Sequence, residues 1–148
     1  MTDILKALSK PFPVSEIHWR PGNTNRDKTS AIALAYVDAR AVMDRLDDVL
    51  QHKWQCRYPY AGCCEIGISI DDEWIWRSDG AGQSNFEAEK GQFSDAFKRA
   101  AVRFGVGRYL YDVPNVWMPL ENGKYFSKET ISQLNDRFQA WQDKKYGH

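Results

Sequence analysis

Between Trp54 and Phe104 the spacing of apolar residues changes once, from two to about 3.6, and that change restricts the chain to few folds. Trp54, Cys56 and Tyr58 share one face of an extended segment, Cys64, Ile66, Ile68 and Ile70 share a face of the next, and Trp74 and Trp76 share one in the third, with Ile75 opposite. PYAG at 59–62 and Asp71–Asp72 supply turn formers between them, so the three segments predict an antiparallel meander. GAGQSN at 80–85 leads into a helical stretch whose Phe93, Phe97, Ala100, Ala101 and Phe104 recur at three- and four-residue spacing and predict one buried face. Lys98, Arg99 and Arg103 fall on the opposite arc, with Asp95 and Val102 between them. Gly105 and Gly107 end the helix, because glycine tolerates the positive φ of a C-terminal cap. The expected fold class is α+β, a three-stranded antiparallel β-meander followed by a long helix, a β-β-β-α core with flanking helices.

The flanks are read by their breakers. Ile4, Leu5 and Leu8 suit a short docking helix over 3–8, which the prolines of PFPV at 11–14 end. Ile17 to Arg20 are extended, and residues 21–30, PGNTNRDKTS, read as an exposed, mobile loop carrying Arg26 and Lys28. Ile32, Leu34 and Tyr36 alternate with Ala33, Ala35 and Val37, which fits a strand or a helix lead-in equally. Asp38 is the N-cap of a helix buried through Val42, Leu46, Val49 and Leu50, with Arg40, Asp44, Asp47 and Asp48 as its polar surface. Beyond Pro114 the chain reads as irregular to Pro119, turns at Asn122–Gly123, and enters a last helix capped by Ser127. Ile131, Leu134, Phe138 and Trp141 make its buried face, and Phe126 staples against Ile131.

At 148 residues with 43% hydrophobic and 27% charged side chains, the chain is expected to be one folded domain, 1–148. A net charge of zero excludes a uniformly basic coat but allows a segregated basic patch. Three cysteines without paired two-residue gaps suit free buried thiols in a reducing compartment rather than a zinc site. MTDILKALSK lacks an apolar signal core and no run approaches the ~20 residues of a membrane span, so a cytoplasmic protein is expected.

Catalytic signatures are sparse. No GxxxxGK loop is present, and the pairs Gly80/Gly82 and Gly105/Gly107 are too short to mark a nucleotide site. His52 with Cys56 lacks further ligands at a usual spacing, and reads as a surface histidine beside a buried cysteine. Asp71, Asp72 and Glu73, or Glu87, Glu89 and Lys90, could serve a metal-dependent nuclease. The first group sits in an expected turn and the second in a helix's first turn, where acids suit the dipole. Cations offer more. Lys98, Arg99, Arg103 and Arg108 lie within eleven residues, next to Tyr109 and Tyr111, and Arg20, Arg26 and Lys28 form a second group. Cations with aromatics suit single-stranded nucleic acid, whose phosphates need charge and whose bases stack on rings; core packing explains the tyrosines equally well.

FSDAFKRAAVRFGVGRYLYDVP at 93–114 and AYVDARAVMDRLDDVL at 35–50, with the meander between them, resemble the Rad fifty-two single-strand annealing family and its short phage and bacterial relatives. The similarity covers about residues 15–114, leaving 115–148 as a C-terminal connection and helix. It implies a core that assembles into a homo-oligomeric ring or arc, with single-stranded DNA in a basic groove and no cofactor. Lys98 and Arg99 match the family's groove-lining pair, Tyr36 its aromatic before the first core helix, and Arg20 is a looser match. Where eukaryotic relatives carry an arginine three residues after Arg99, this chain has Val102, with Arg103 one place on. Trp74 and Trp76 suit either subunit contacts or core packing.

The expected function is binding of single-stranded DNA and ATP-independent annealing of complementary strands in recombination and repair, in a phage or bacterial host. The expected DNA contacts are Lys98, Arg99, Arg103, Arg108, Arg20, Arg26, Lys28 and Tyr36, with no catalytic residue, no metal, no membrane, and a second site for duplex DNA left open. A metal-dependent nuclease and a non-catalytic oligomeric interaction module are the alternatives.

Overall fold

The computed structural model describes residues 2–80 and 88–147, and the side chains of residues 88–90 are not described. The chain forms two compact units, Met1–Lys10 with Asp38–Arg108, and Pro11–Val37 with Tyr109–His148.

The first unit contains α1 (Thr2–Leu8), α2 (Ala39–Leu50), β3 (Trp54–Tyr60), β4 (Cys63–Ile70), β5 (Glu73–Gly80) and α3 (Ala88–Val102). The three strands form the expected antiparallel meander, ordered β3-β4-β5. Asp71 and Asp72 both take positive φ, 53° and 65°, the backbone of a tight hairpin turn. α3 packs across β4 and β5, burying Phe97, Ala100 and Ala101 against Cys64, Ile66 and Ile68; each fully buried Phe or Ile side chain contributes about 1.5–3 kcal/mol. Phe93 departs from the expected face. It is 43% exposed and meets the Tyr58 ring edge-on at 5.2 Å, because it lies a turn before the buried run, over the sparsely covered strand β3. Cys56 is also exposed rather than buried, on that same strand, while Cys63 and Cys64 are buried.

α3 ends in a Schellman motif. Val106 N donates to Ala101 O at 3.2 Å and Gly105 N to Val102 O at 2.8 Å, with Gly105 at φ 99°. A Cβ at Gly105 would also collide with the Ser9 hydroxyl, so the position needs glycine twice over. Asp38 caps α2 as expected, accepting from Ala41 N at 2.9 Å. α1 docks on α2 through buried Leu8, and the Arg45 guanidinium donates to the carbonyls of Leu8 and Lys10 at 2.9 and 2.6 Å.

The second unit holds β1 (His18–Thr24), β2 (Ser30–Tyr36), β6 (Trp117–Pro119) and α4 (Lys128–Tyr146), with its strands in the order β1-β2-β6. This sheet decides one open reading and corrects two expectations. Residues 30–36 are a strand rather than a helix lead-in. Residues 21–24 extend β1 instead of opening the loop, since Pro21 and Gly22 are tolerated on an edge strand. The loop shrinks to 25–29, tied by the Asn25 side chain, which accepts from Thr29 N and Ser30 N at 2.8 and 3.1 Å. Residues 117–119, read as irregular, pair with β2. α4 lies on one sheet face, where Ala31, Ala33 and Met118 meet Phe126 and Leu134, with Trp19 and Ile131 at the margin. Ser127 caps α4 through Thr130 N at 3.1 Å.

Candidate nucleic-acid interface

The expected site residues divide between the two units: Lys98, Arg99, Arg103 and Arg108 in the first, Arg20, Arg26, Lys28 and Tyr36 in the second.

In the first unit, Arg99 lies on one edge of α3 and Arg103, four residues on and just past the end of the helix, lies in line with it, each with more than half its side chain exposed, and Lys98 is half-buried beside them. What sequence reading missed is their acceptor. Asp79, near the end of β5, reaches Arg99 Nε at 3.5 Å through one oxygen and Arg103 Nε at 3.3 Å through the other. Burial pushes the Asp79 carboxyl up, but the Gly80 amide and the two guanidiniums outweigh it and hold the group below the ordinary carboxylate value. Arg77, two residues earlier on the same strand face, donates to Arg103 O at 2.6 Å and lies 4.8 Å from the Phe104 ring centroid. No short spacing announces this arrangement, since β5 and α3 meet only in three dimensions. Arg108 folds back and donates from Nε and Nη2 to Val102 O at 3.0 and 2.7 Å, a cation on the carbonyl end of α3.

The opposite face of the meander is also ordered. Trp74 and Trp76 stack with ring centroids 6.1 Å apart, and the Arg57 guanidinium lies 3.9 Å from the Trp76 centroid while pairing with Glu65 at 3.4 Å. Gly67 sits beneath Trp76, where a Cβ would come within 2.8 Å of the indole. Trp74 is 44% exposed. These residues alternate with the strand positions beneath α3, so they lie outside the core that α3 covers.

A thiol cluster lies on the α3 side. A hydrogen bond donated by the Cys64 thiol to the Cys56 sulfur, with a weaker contribution from the Tyr58 hydroxyl, outweighs burial and lowers Cys56 to about 7.

In the second unit, Arg20 stands 5.9 Å from the Tyr36 ring centroid and His18 contacts the same ring at 5.4 Å. Arg26 and Lys28 are exposed on the tight 25–29 turn. Tyr109 is buried and stacks on Trp141 at 6.2 Å, whereas Tyr111 is exposed, so the two tyrosines divide between core and surface. Among the described residues no three His, Cys, Asp or Glu side chains gather to hold a metal ion; Asp71, Asp72 and Glu73 lie at the β4–β5 turn, while Glu87 and the side chains of Glu89 and Lys90 fall outside the described residues. No described helix is long and apolar enough to cross a membrane.

Residues 1–65 and 60–129 match the model of the Rad52/22 family of double-strand break repair proteins. The chain is 36% identical over 134 residues to the single-stranded DNA-binding protein DdrA of Deinococcus radiodurans, covering 84% of this chain and 62% of that one. It is equally similar to DdrA of Deinococcus deserti, at 36% over 134 residues and 64% of that protein's length. The chain thus spans somewhat under two thirds of these relatives. No solved structure matches it.

Proposed function

The chain belongs to the Rad52/22 family of double-strand break repair proteins, and on that premise we propose that it binds single-stranded DNA and anneals complementary strands without nucleotide hydrolysis. The observation that carries this reading is the edge of α3, where Lys98, Arg99 and Arg103 lie within the segment that resembles the family's groove-lining helix. Guanidinium and ammonium groups there neutralise phosphates while leaving base edges free, and base pairing supplies the free energy of annealing. Arg103 serves in place of the arginine that Val102 replaces. Arg108 in the first unit, and Arg20, Arg26, Lys28 and Tyr36 in the second, serve as further DNA contacts. The DdrA relatives, named for single-stranded DNA binding, support the same substrate.

The protein acts as a binder rather than an enzyme, in the bacterial cytoplasm, as a homo-oligomeric ring or arc whose subunits meet partly through Trp74 and Trp76. Its 148 residues work as one domain, a reading supported by the interleaved chain, in which neither unit is a continuous segment. The test incubates the purified protein with labelled complementary strands, with magnesium or with chelator, and without ATP. Annealing in both conditions is the expected result. Metal-dependent cleavage would replace this reading with the nuclease, and failure to bind single strands would leave an interaction module.

A further inference from the structure

Strand β2 is inverted relative to an ordinary core strand. Its face toward α4 carries Ala31, Ala33 and Ala35, while Ile32, Leu34 and Tyr36 point the other way. Burial normally takes the larger side chains, because stabilisation scales with apolar area. Here Leu34 stays 36% exposed. The register places further residues on this outer face: His18 opposite Tyr36, Arg20 opposite Leu34, and Trp117 opposite Ile32. Trp117 is 52% exposed. Gly22 belongs to the same arrangement, since a Cβ there would sit 3.0 Å from the Leu34 side chain.

We infer that this outer face of the β1-β2-β6 sheet is a base-stacking surface for an unpaired nucleic-acid strand, with Trp117 as its principal ring and Tyr36 as a second. The rows holding them lie four positions apart along β2, about 13 Å at the usual strand rise, so the two rings take different bases of one strand. Leu34 lies between as an apolar floor. Charge complementarity favours nucleic acid over a second copy of this chain. Arg20 sits beside the Tyr36 ring, and Arg26 and Lys28 stand exposed on the β1–β2 turn, where they meet phosphates. Aromatic side chains on an open sheet face are a recurrent way to hold single strands. Stacking occupies the faces of the bases and leaves their pairing edges outward, as annealing requires.

This inference rests on the single-strand binding reading, and the experiment separates the two. Fluorescence anisotropy measures binding of the full chain to an oligothymidylate and to an abasic strand of equal length. Wild type is expected to prefer the oligothymidylate. Trp117→Ala should weaken that binding about 5- to 150-fold, the worth of one stacked base, with abasic binding and salt slope unchanged. Trp117→Phe, which keeps a ring in the strand, should stay within about threefold of wild type. An unchanged preference in Trp117→Ala, or an equal loss on both strands in both variants, overturns the stacking surface while the annealing function stands. A change in oligomer size with the base preference intact also overturns it, assigning the face to a second copy. No binding of either strand by wild type removes the proposed function and this surface together.

Discussion

Asp79 Oδ1 lies 3.5 Å from Arg99 Nε, so a strand carboxylate holds one of the cations on the exposed edge of α3. Its other oxygen holds Arg103, one helical turn on. The carboxylate competes with any phosphate for the same guanidiniums. Asp79→Asn should therefore raise affinity for single strands at low salt and steepen the salt dependence by about 0.7 for each additional phosphate neutralised. Anisotropy titrations across a salt series measure both, and weaker binding by a folded variant would show that Asp79 positions the arginines rather than competing for them.

The same carboxylate makes stability depend on pH. Its pKa is depressed in the fold, so its contribution is complete above the ordinary carboxylate value of about 4 and is lost as pH falls through the lower folded value. Denaturant midpoints measured from pH 7 to pH 2 should fall less steeply at the acid end in Asp79→Asn than in wild type.

Lys98 and Arg99 are the residues on which the proposed groove depends most. Replacing both by Ala should weaken binding to every single-stranded sequence alike and flatten the salt slope by about 0.7 for each phosphate left without its cation. A well-folded double variant with the wild-type slope would place the groove elsewhere.

Cys56 should be the reactive thiol. It is exposed, and the Cys64 hydrogen bond lowers it to about 7, so its alkylation by iodoacetamide should rise through neutral pH while Cys63 and Cys64 stay protected. Cys64→Ala removes the donor and should move that profile toward the ordinary thiol value of about 8.5. Peptide mass spectrometry after timed labelling reads both.

Gly105→Ala tests the end of α3. A side chain meets both a φ of 99° and the Ser9 hydroxyl, and unfolding measurements should show a loss of about 1–3 kcal/mol. Wild-type stability in this variant would mean that the helix end shifts freely.

The meander, α2, α3 and α4 were legible because each is written in local signals. Period-two and 3.6-residue patterns, Asp38 and Ser127 as caps, and Asp71–Asp72 as a turn all act within a few residues of themselves. The sheet of β1, β2 and β6 was not. β2 is apolar on both faces and β6 is three residues long, so neither has a period to detect, and their pairing joins residues more than eighty apart.

For the site, the sequence by itself determined which cations lie together on α3 and that Gly105 stops that helix, since helical spacing and φ preference are properties of the local chain. Only the tertiary structure decided what those cations face. The clamp by Asp79, the turning of Arg108 onto Val102 O and the joining of Trp117 to the face of Arg20 and Tyr36 depend on strand register and on how a helix lies across a sheet. Those are set by packing summed over many residues, and no short stretch of sequence contains them.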